Sequence, residues 1–423
     1  MSQLLFKNRR PGHTVLLDEY RRNGGYRGLE KALRDMQPAQ IREEVKASGL
    51  RGRGGAGFFT GVKWSFFPVD APGDKYLVCN GDEMEPGTFK DRQLLEADPH
   101  QLVEGMAIAA YALNVTTGYI FLRYAYDRAY ANLLRAIAEA EEAGLLGKNI
   151  LGSDFSFALH VHRSAGRYIC GEETALLNGL EGKRPNPRSK PPFPAIKGLF
   201  AKPTALNNIE TLANISHIIN GGAQWFSDLA LTKEGAGTKL YGLAGHLNAP
   251  GCVELPMGVT LGELVEKHGG GVWQGRKFKA CLPGGASTPY LTAAHFDVDM
   301  DYNPLEAVKT RLGTGGLVVF DDRTCMVAAT LNLLRFFARE SCGWCTPCRD
   351  GLPMVCWVLE KIESGRGTDD DVALLRELLG NINGRSFCAL ALGAMGPVDG
   401  LLRHFEQEVA DHVKQGRCPL QAS

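Results

Sequence analysis

The stretch Ser341-Cys342-Gly343-Trp344-Cys345-Thr346-Pro347-Cys348-Arg349-Asp350-Gly351 constrains this chain more than any other. Three cysteines, each two residues from the next, can turn their sulfurs onto one small volume while Gly343 and Pro347 hold the backbone back in a tight turn. A cubane iron–sulfur cluster usually takes three thiolates from one loop and a fourth from a distant segment. Downstream, Cys356, Cys388 and Cys418 are the candidates. Cys388 is the best placed, in the glycine-containing loop Asn383-Gly384-Arg385-Ser386-Phe387-Cys388-Ala389-Leu390 after a helical segment. Cys356 falls one or two turns into the next helix and reads as a packed thiol. The competing readings are a structural zinc site and three plain reduced cysteines. Zinc sites generally pair two CxxC halves, or a CxxC with an HxxxH. Here no second pair and no His follows at a suitable distance.

The 423 residues, 44% hydrophobic and 22% charged, suffice for two or three globular domains. The 47 basic and 47 acidic residues cancel and no Lys/Arg block stands out, which disfavours nucleic acid and anionic membrane surfaces as partners. No apolar run approaches a membrane span, and the N-terminus lacks the pattern of a signal peptide. Eleven unevenly spread cysteines then indicate reduced thiols and a metal site in a reducing, cytoplasmic compartment.

Residues 28–48 read as helical, with Pro38 in the first turn of a new helix. Leu50-Arg51-Gly52-Arg53-Gly54-Gly55-Ala56-Gly57-Phe58-Phe59-Thr60-Gly61-Val62-Lys63-Trp64 follows, a loop whose glycines admit an anion to the backbone N–H groups and whose Arg and Lys neutralise it. Its GxGxxG match is not a Rossmann fingerprint, because a helix and not a strand precedes it. A mobile surface loop is the alternative. Tyr76-Leu77-Val78-Cys79 is predicted as a strand opening into the acidic loop Asn80–Arg92, where ligands of open α/β sheets bind. Asp98-Pro99 suits the start of a helix carrying Leu102, Val103 and Met106. Strands at 118–122 and 155–162, with a helix at 127–143 between them, complete a β-α-β-α-β order and a doubly wound parallel sheet.

Gly166–Gly182 reads as a loop entering a helix, with Glu172 and Glu173 in the first turn; simple favouring of acids by the helix dipole explains them equally well. Lys183–Phe200, rich in Pro and basic residues, is expected as an ordered loop over a site. Residues 205–214 are expected to start another helix, capped by Asn207 or Asn208. From Lys239, a hairpin (241–247 and 251–255), a short helix (261–266) and a strand (278–282) suggest a small β-grasp module. Beyond Thr324, helices at 324–340, 351–362, 369–381 and 395–413 suggest a four-helix bundle carrying the cysteine loop. The boundaries are therefore set at 1–238, 239–323 and 324–423.

The glycine/arginine loop 50–64, Asn80–Arg92 and Gly166–Gly182, with the cysteine triplet and Cys388, resemble the flavin-containing, NADH-oxidising subunit of respiratory complex I. The resemblance runs nearly end to end. It implies FMN in an unusual Rossmann-like domain, NADH stacked on it, a ubiquitin-like module, and a C-terminal helical bundle with one [4Fe–4S] cluster. The implied FMN contacts are Gly52, Arg53, Gly54, Lys63, Asn80, Asp82, Glu83, Gly171, Glu172, Asn207, Asn208 and Thr211. Those to NADH are Gly55, Ala56, Gly57, Phe58, Phe66, Glu85, Tyr168, Glu173, Lys190 and Phe193, the phenylalanines giving stacking surface and the carboxylates hydrogen-bonding ribose and nicotinamide. Cys342, Cys345, Cys348 and Cys388 are the implied cluster ligands. No catalytic residue is implied, since hydride transfer is the cofactors' own chemistry.

The family also implies a thioredoxin-like [2Fe–2S] subunit and a large iron–sulfur subunit as partners, and a peripheral place on the cytoplasmic side of the membrane. Diaphorase subunits of NAD-reducing hydrogenases and formate dehydrogenases share this core but often carry added iron–sulfur segments. Only about 50 residues precede the glycine loop here and none is Cys, which favours complex I. A zinc-stabilised, non-catalytic scaffold and an assembly subunit without flavin are the remaining alternatives.

Overall fold

The computed structural model describes residues 3–420. The chain divides into two compact units. The first takes in the chain through Met84, Phe89–Tyr241 and Cys252–Val259. The second takes in Glu85–Thr88, Gly242–Gly251 and the chain from Thr260 onward.

The first unit is built on four parallel strands: β1 (Tyr76–Gly81), β2 (Thr117–Leu122), β3 (Ala158–Arg163) and β4 (Thr204–Asn208), in the order β3-β2-β1-β4. The chain steps outward from β1 to β2 to β3 and then returns to the other side of β1. That reversal leaves a crevice beyond the carboxyl ends of β1 and β4, where ligands of doubly wound sheets bind. Register places Asn80 beside Asn208 and Cys79 beside Asn207. Behind the sheet, His100–Ala112 is buried along nearly its whole length and packs against Ile209–Gly221. The helices meet so closely at Gly105 that a Cβ there would lie 2.0 Å from the Leu212 carbonyl oxygen. At the N-terminus, the backbone N–H groups of Leu4, Leu5 and Phe6 all donate to the buried Glu254 carboxylate.

Several expected boundaries shift. Residues 205–208 are strand β4, and the helix begins at Ile209 with Asn208 as its cap. The third strand begins at Ala158 instead of Phe155. A further helix, Lys90–Ala97, precedes His100–Ala112, so Asp98 lies between two helices.

β5 (Thr238–Gly245) crosses from the first unit into the second, and β6 (Gly251–Pro256) is its neighbour. In the second unit the end of β5 pairs in parallel with β8 (Gly316–Asp321), and β7 (Phe278–Leu282) pairs antiparallel with β8. Strand β8 is additional to the hairpin, helix and strand expected there. The longer helices that follow are Met326–Glu340, Gly351–Glu363, Asp369–Ile382, Ala389–His404 and Glu406–Gln415. The segment expected as one helix over 395–413 thus starts earlier and breaks at Phe405, whose φ of −132° leaves the helical region. Among the described residues no helix is long and apolar enough to cross a membrane.

Candidate functional site

The glycine loop is closed at its base. Arg51 and Phe59 form an antiparallel bridge, Gly52 N–H donates to the Phe58 carbonyl at 2.8 Å, and Thr60 N–H donates to the Leu50 carbonyl at 2.8 Å. At its tip Gly55 and Gly57 hold φ of +131° and +67°, a region that side chains avoid. Arg51 donates to the Gly57 carbonyl at 2.7 Å and lies over the Phe59 ring. This is a braced loop.

Its tip, Gly52 and Gly54–Phe58, walls an open cleft with about 650 Å³ of free volume including its mouth. Lys63, Asn80 and Glu173 line the sides, and Leu206, Asn207, Asn208 and Thr211 close the floor at the end of β4. The cleft therefore sits at the crevice where the strand order reverses. Arg53 is placed differently from the other loop residues. Its backbone N–H donates to Thr211 Oγ1 at 2.8 Å, while its guanidinium is turned inward onto the carbonyls of Ala236 and Thr238 at 2.6 and 3.1 Å. Its charge stands behind the loop, so Lys63 carries the cation that lines the cleft.

The expected residues of β1 and its loop hold one another. Asn80 Nδ2 donates to the Gly171 carbonyl at 2.8 Å, and Asp82 Oδ1 accepts from Ser164 Oγ at 2.7 Å. Glu83 is buried and accepts from the N–H groups of Asp91 and Arg92 at 2.9 and 3.1 Å and from Tyr126 OH at 2.9 Å. Burial, with Asp91 nearby, pushes its carboxyl up to about 7. Glu83 thus anchors the start of Lys90–Ala97. Asn207 Oδ1 accepts from Trp64 Nε1 at 3.0 Å; Asn208 Oδ1 accepts from Glu210 N–H, and Asn208 Nδ2 donates to Asp91 Oδ2 at 2.7 Å.

Asn208 leads into a buried charge network that sequence reasoning missed. Lys90 Nζ lies 2.7 Å from Asp91 and 2.8 Å from Glu210, and Lys239 Nζ lies 2.9 Å from Glu210. Burial opposes ionisation of Glu210, but Lys239, Lys90 and Arg53 outweigh it and hold the carboxyl at about 2. Positions 90, 91, 210 and 239 share no spacing motif, so only the fold brings them together.

Glu172 caps the helix Glu173–Leu180, its Oε2 accepting from the N–H groups of Thr174 and Ala175 at 2.8 Å each. Glu173 sits between two lysines, with Lys63 Nζ at 3.5 Å and Lys190 Nζ hydrogen-bonded to Oε1. Burial works against its charge, yet Lys63 and Lys190 prevail and keep the carboxyl below its ordinary range. Phe58, Phe66 and Phe193 are 52, 61 and 57% exposed, leaving their ring faces open to stacking. Tyr168 is half-buried on the short helix Tyr168–Gly171. Glu85 belongs to the second unit, where its Oε1 accepts from Ser287 N–H at 2.6 Å.

In the second unit, Met326–Glu340 ends at Ser341 and the cysteine loop follows. Cys345 caps the one-turn helix Thr346–Arg349, which carries the buried Cys348. Cys348 Sγ lies 3.1 Å from Ser341 Oγ, and burial, with Cys345 and Cys342 close by, pushes its thiol up to about 11. A bound cation reverses that preference, since coordination deprotonates a thiol. Cys388 caps Ala389–His404, a helix that packs against Thr346–Arg349, and the neighbouring rings of Trp344 and Phe387 meet at 6.4 Å. Three thiols in one loop, with a fourth at the start of a helix packed against it, are a donor set that suits an iron–sulfur cluster. Cys356 is buried in Gly351–Glu363, as expected of a packed thiol, and Cys418 is grouped with Cys325, Glu363 and His412 instead.

Three stretches of the chain match known families: residues 45–217 the Nuo51 FMN-binding domain, 240–291 the SLBB domain, and 328–412 the NADH-ubiquinone oxidoreductase-F iron–sulfur binding region. One of the relatives, the second F subunit of NADH-quinone oxidoreductase in Rhizobium meliloti, is 52% identical over 97% of this chain and 96% of its own length. The corresponding F subunit of Escherichia coli is 52% identical over 95% of this chain and 90% of its own length. Among solved structures, the NAD+-reducing [NiFe]-hydrogenase in its air-oxidised state aligns with TM-score 0.80 and 36% identity over 89% of this chain and 63% of that chain. Its H2-reduced state aligns with TM-score 0.84 and 35% identity, covering 96% of this chain and 67% of that one. With an FMN-binding family on the cleft and an iron–sulfur family on the cysteine loop, this chain belongs to the F subunits of NADH-quinone oxidoreductase.

Proposed function

We propose that the chain is the electron-input subunit of an NADH:quinone oxidoreductase, taking a hydride from NADH and sending electrons singly towards a [4Fe–4S] cluster and on to quinone. The observation that carries this reading is the cleft itself, where a braced glycine loop faces Asn80, Asn207, Asn208 and Thr211 at the reversal of strand order. Bound FMN supplies acceptance of two electrons at once and their release one at a time. The backbone of Gly52–Gly54 with Lys63 would hold the flavin phosphate, and Asn80, Asn207, Asn208 and Thr211 the rest of the flavin. Gly171 and Glu172 support Asn80 and the helix start, and Asp82 and Glu83 hold the β1 loop in shape. Exposed Phe58, Phe66 and Phe193 would stack on NADH, with Tyr168, Glu173 and Lys190 as its polar contacts. Cys342, Cys345, Cys348 and Cys388 would ligate the cluster.

In this reading the chain has the three domains 1–238, 239–323 and 324–423, the second ubiquitin-like and the third a helical bundle. It works on the cytoplasmic face of the membrane beside a thioredoxin-like [2Fe–2S] subunit and a larger iron–sulfur subunit. The hydrogenase neighbours support a diaphorase role as the second reading. The higher identity and fuller coverage of the F subunits favour the first.

The test is anaerobic purification with the small partner, absorbance and low-temperature EPR before and after NADH, and quantification of flavin and iron. Flavin bleaching and a reduced cluster, with about four irons attributable to this chain, are expected. A preparation with zinc but neither flavin nor iron would sink the reading in favour of a scaffold.

A further inference from the structure

Four metal-binding side chains outside the cysteine loop converge in the second unit. Cys325 caps Met326–Glu340, Glu363 ends Gly351–Glu363, His412 lies on Glu406–Gln415, and Cys418 follows that helix. One ligand atom from each falls within 4.8 Å of all the others. Cys325 Sγ is 3.2 Å from Glu363 Oε2 and 3.3 Å from His412 Nε2, and His412 Nε2 is 3.2 Å from Glu363 Oε2. Tetrahedral zinc bonds of about 2.0–2.3 Å place ligand atoms roughly 3.3–3.8 Å apart, so the group is already near the size of such a shell. We propose that Cys325, Glu363, His412 and Cys418 form a structural zinc site.

The groups around these four agree. His412 Nδ1 donates to the Glu408 carbonyl at 2.7 Å, which fixes the ring and directs Nε2 at the other three ligands. Ala328 N–H donates to Cys325 Sγ at 3.3 Å, holding that sulfur from the backbone side. The two segments bearing Glu363 and Cys418 touch at Gly365 and Gly416, both at positive φ; a Cβ on Gly365 would lie 2.0 Å from the Gly416 carbonyl oxygen. The fold thus brings the ligand-bearing turns together through their backbones. His412 and Cys418 are buried, Cys325 and Glu363 half-buried. Two sulfurs, one nitrogen and one carboxylate fill a tetrahedron with no open position, the mark of a structural site.

Met326–Glu340 has 15 residues and so is about 22 Å long. The cysteine loop leaves its far end, so the zinc would clamp the opposite end of the helical pair and tie down the C-terminal segment.

The experiment uses the full chain with its flavin and cluster. Metal analysis is expected to give about one zinc beside about four irons, and zinc K-edge absorption a shell of two sulfurs near 2.3 Å and two nitrogen or oxygen atoms near 2.0–2.1 Å. Cys418→Ser and His412→Ala should each lower zinc at least about fivefold with iron and flavin unchanged. Zinc absent from the wild-type protein grown with zinc, a four-sulfur shell, or undiminished zinc in a folded variant would each overturn the proposal. Because the absorption measurement needs no variant, a misfolded substitution does not decide it.

Discussion

The helices Met326–Glu340 and Gly351–Glu363 would carry a proposed metal site at each end, and the two groups of side chains are assembled in opposite ways. At one end three cysteines sit in a single short loop, so their nearness to one another is set by the local chain before the helices pack. At the other, Cys325, Glu363, His412 and Cys418 come from four separate segments and meet only after the fold has formed. A site of the first kind has a sequence signature and needs the fold only for its distant fourth ligand. A site of the second kind has neither property, and its ligands act as a staple on the structure that creates them.

The sharpest way to break this contrast is at Cys388, the proposed distant ligand of the cysteine loop. Cys388→Ala should reduce cluster iron from about four to near zero, abolish the cluster EPR signal and lower NADH-dependent electron delivery to quinone at least about 100-fold. Flavin reduction by NADH should survive, because the cleft lies in the other unit. Retention of a full cluster would mean that Cys388 is not the fourth ligand.

The same contrast explains what could be read in advance. The cysteine triplet and the glycine loop were legible because spacing and residue type alone impose their chemistry. Strand β4 was not: only five residues long, it runs directly into Ile209–Gly221, and Asn208 serves as the last strand residue and as the helix cap. The start of Ala389–His404 was hidden by Gly393, which resembles a loop residue, although Gly396 one turn on falls in the stretch 395–413 that reads as helical. In the structure they permit close packing, since a Cβ on Gly396 would meet the Ser287 carbonyl oxygen at 2.8 Å. Arg53 was legible as a cation but not in its direction, because the carbonyls of Ala236 and Thr238 that capture it lie far along the chain.

The buried network under the cleft extends the contrast to the first unit, as a second dispersed group. Glu210→Gln leaves Lys90 and Lys239 buried without their shared carboxylate and should cost about 3–5 kcal/mol in urea unfolding. The pH dependence gives an independent check. Glu210 titrates at about 2 in the fold against 4.5 ordinarily, so its stabilisation is complete above about pH 4.5 and is lost as pH falls towards 2. The variant should therefore show a shallower loss of stability across that window. Identical slopes for both proteins would mean that Glu210 does not carry the network's charge.

The smallest effect is expected between the two ends, at Cys356. It lies on Gly351–Glu363, is buried, and has its thiol pushed up to about 11 by burial, with Glu360 adding to the effect. A thiol in that setting is a packing group, comparable to a small apolar side chain. Cys356→Ala should cost about 1 kcal/mol through the small cavity it leaves, with iron, zinc and flavin contents unchanged. Metal analysis beside a urea melt separates the possibilities: loss of iron would make Cys356 a cluster ligand, and loss of zinc would connect the two ends through the helix. If neither metal changes, the helix is a passive spacer, and the two sites differ in assembly without communicating through this residue.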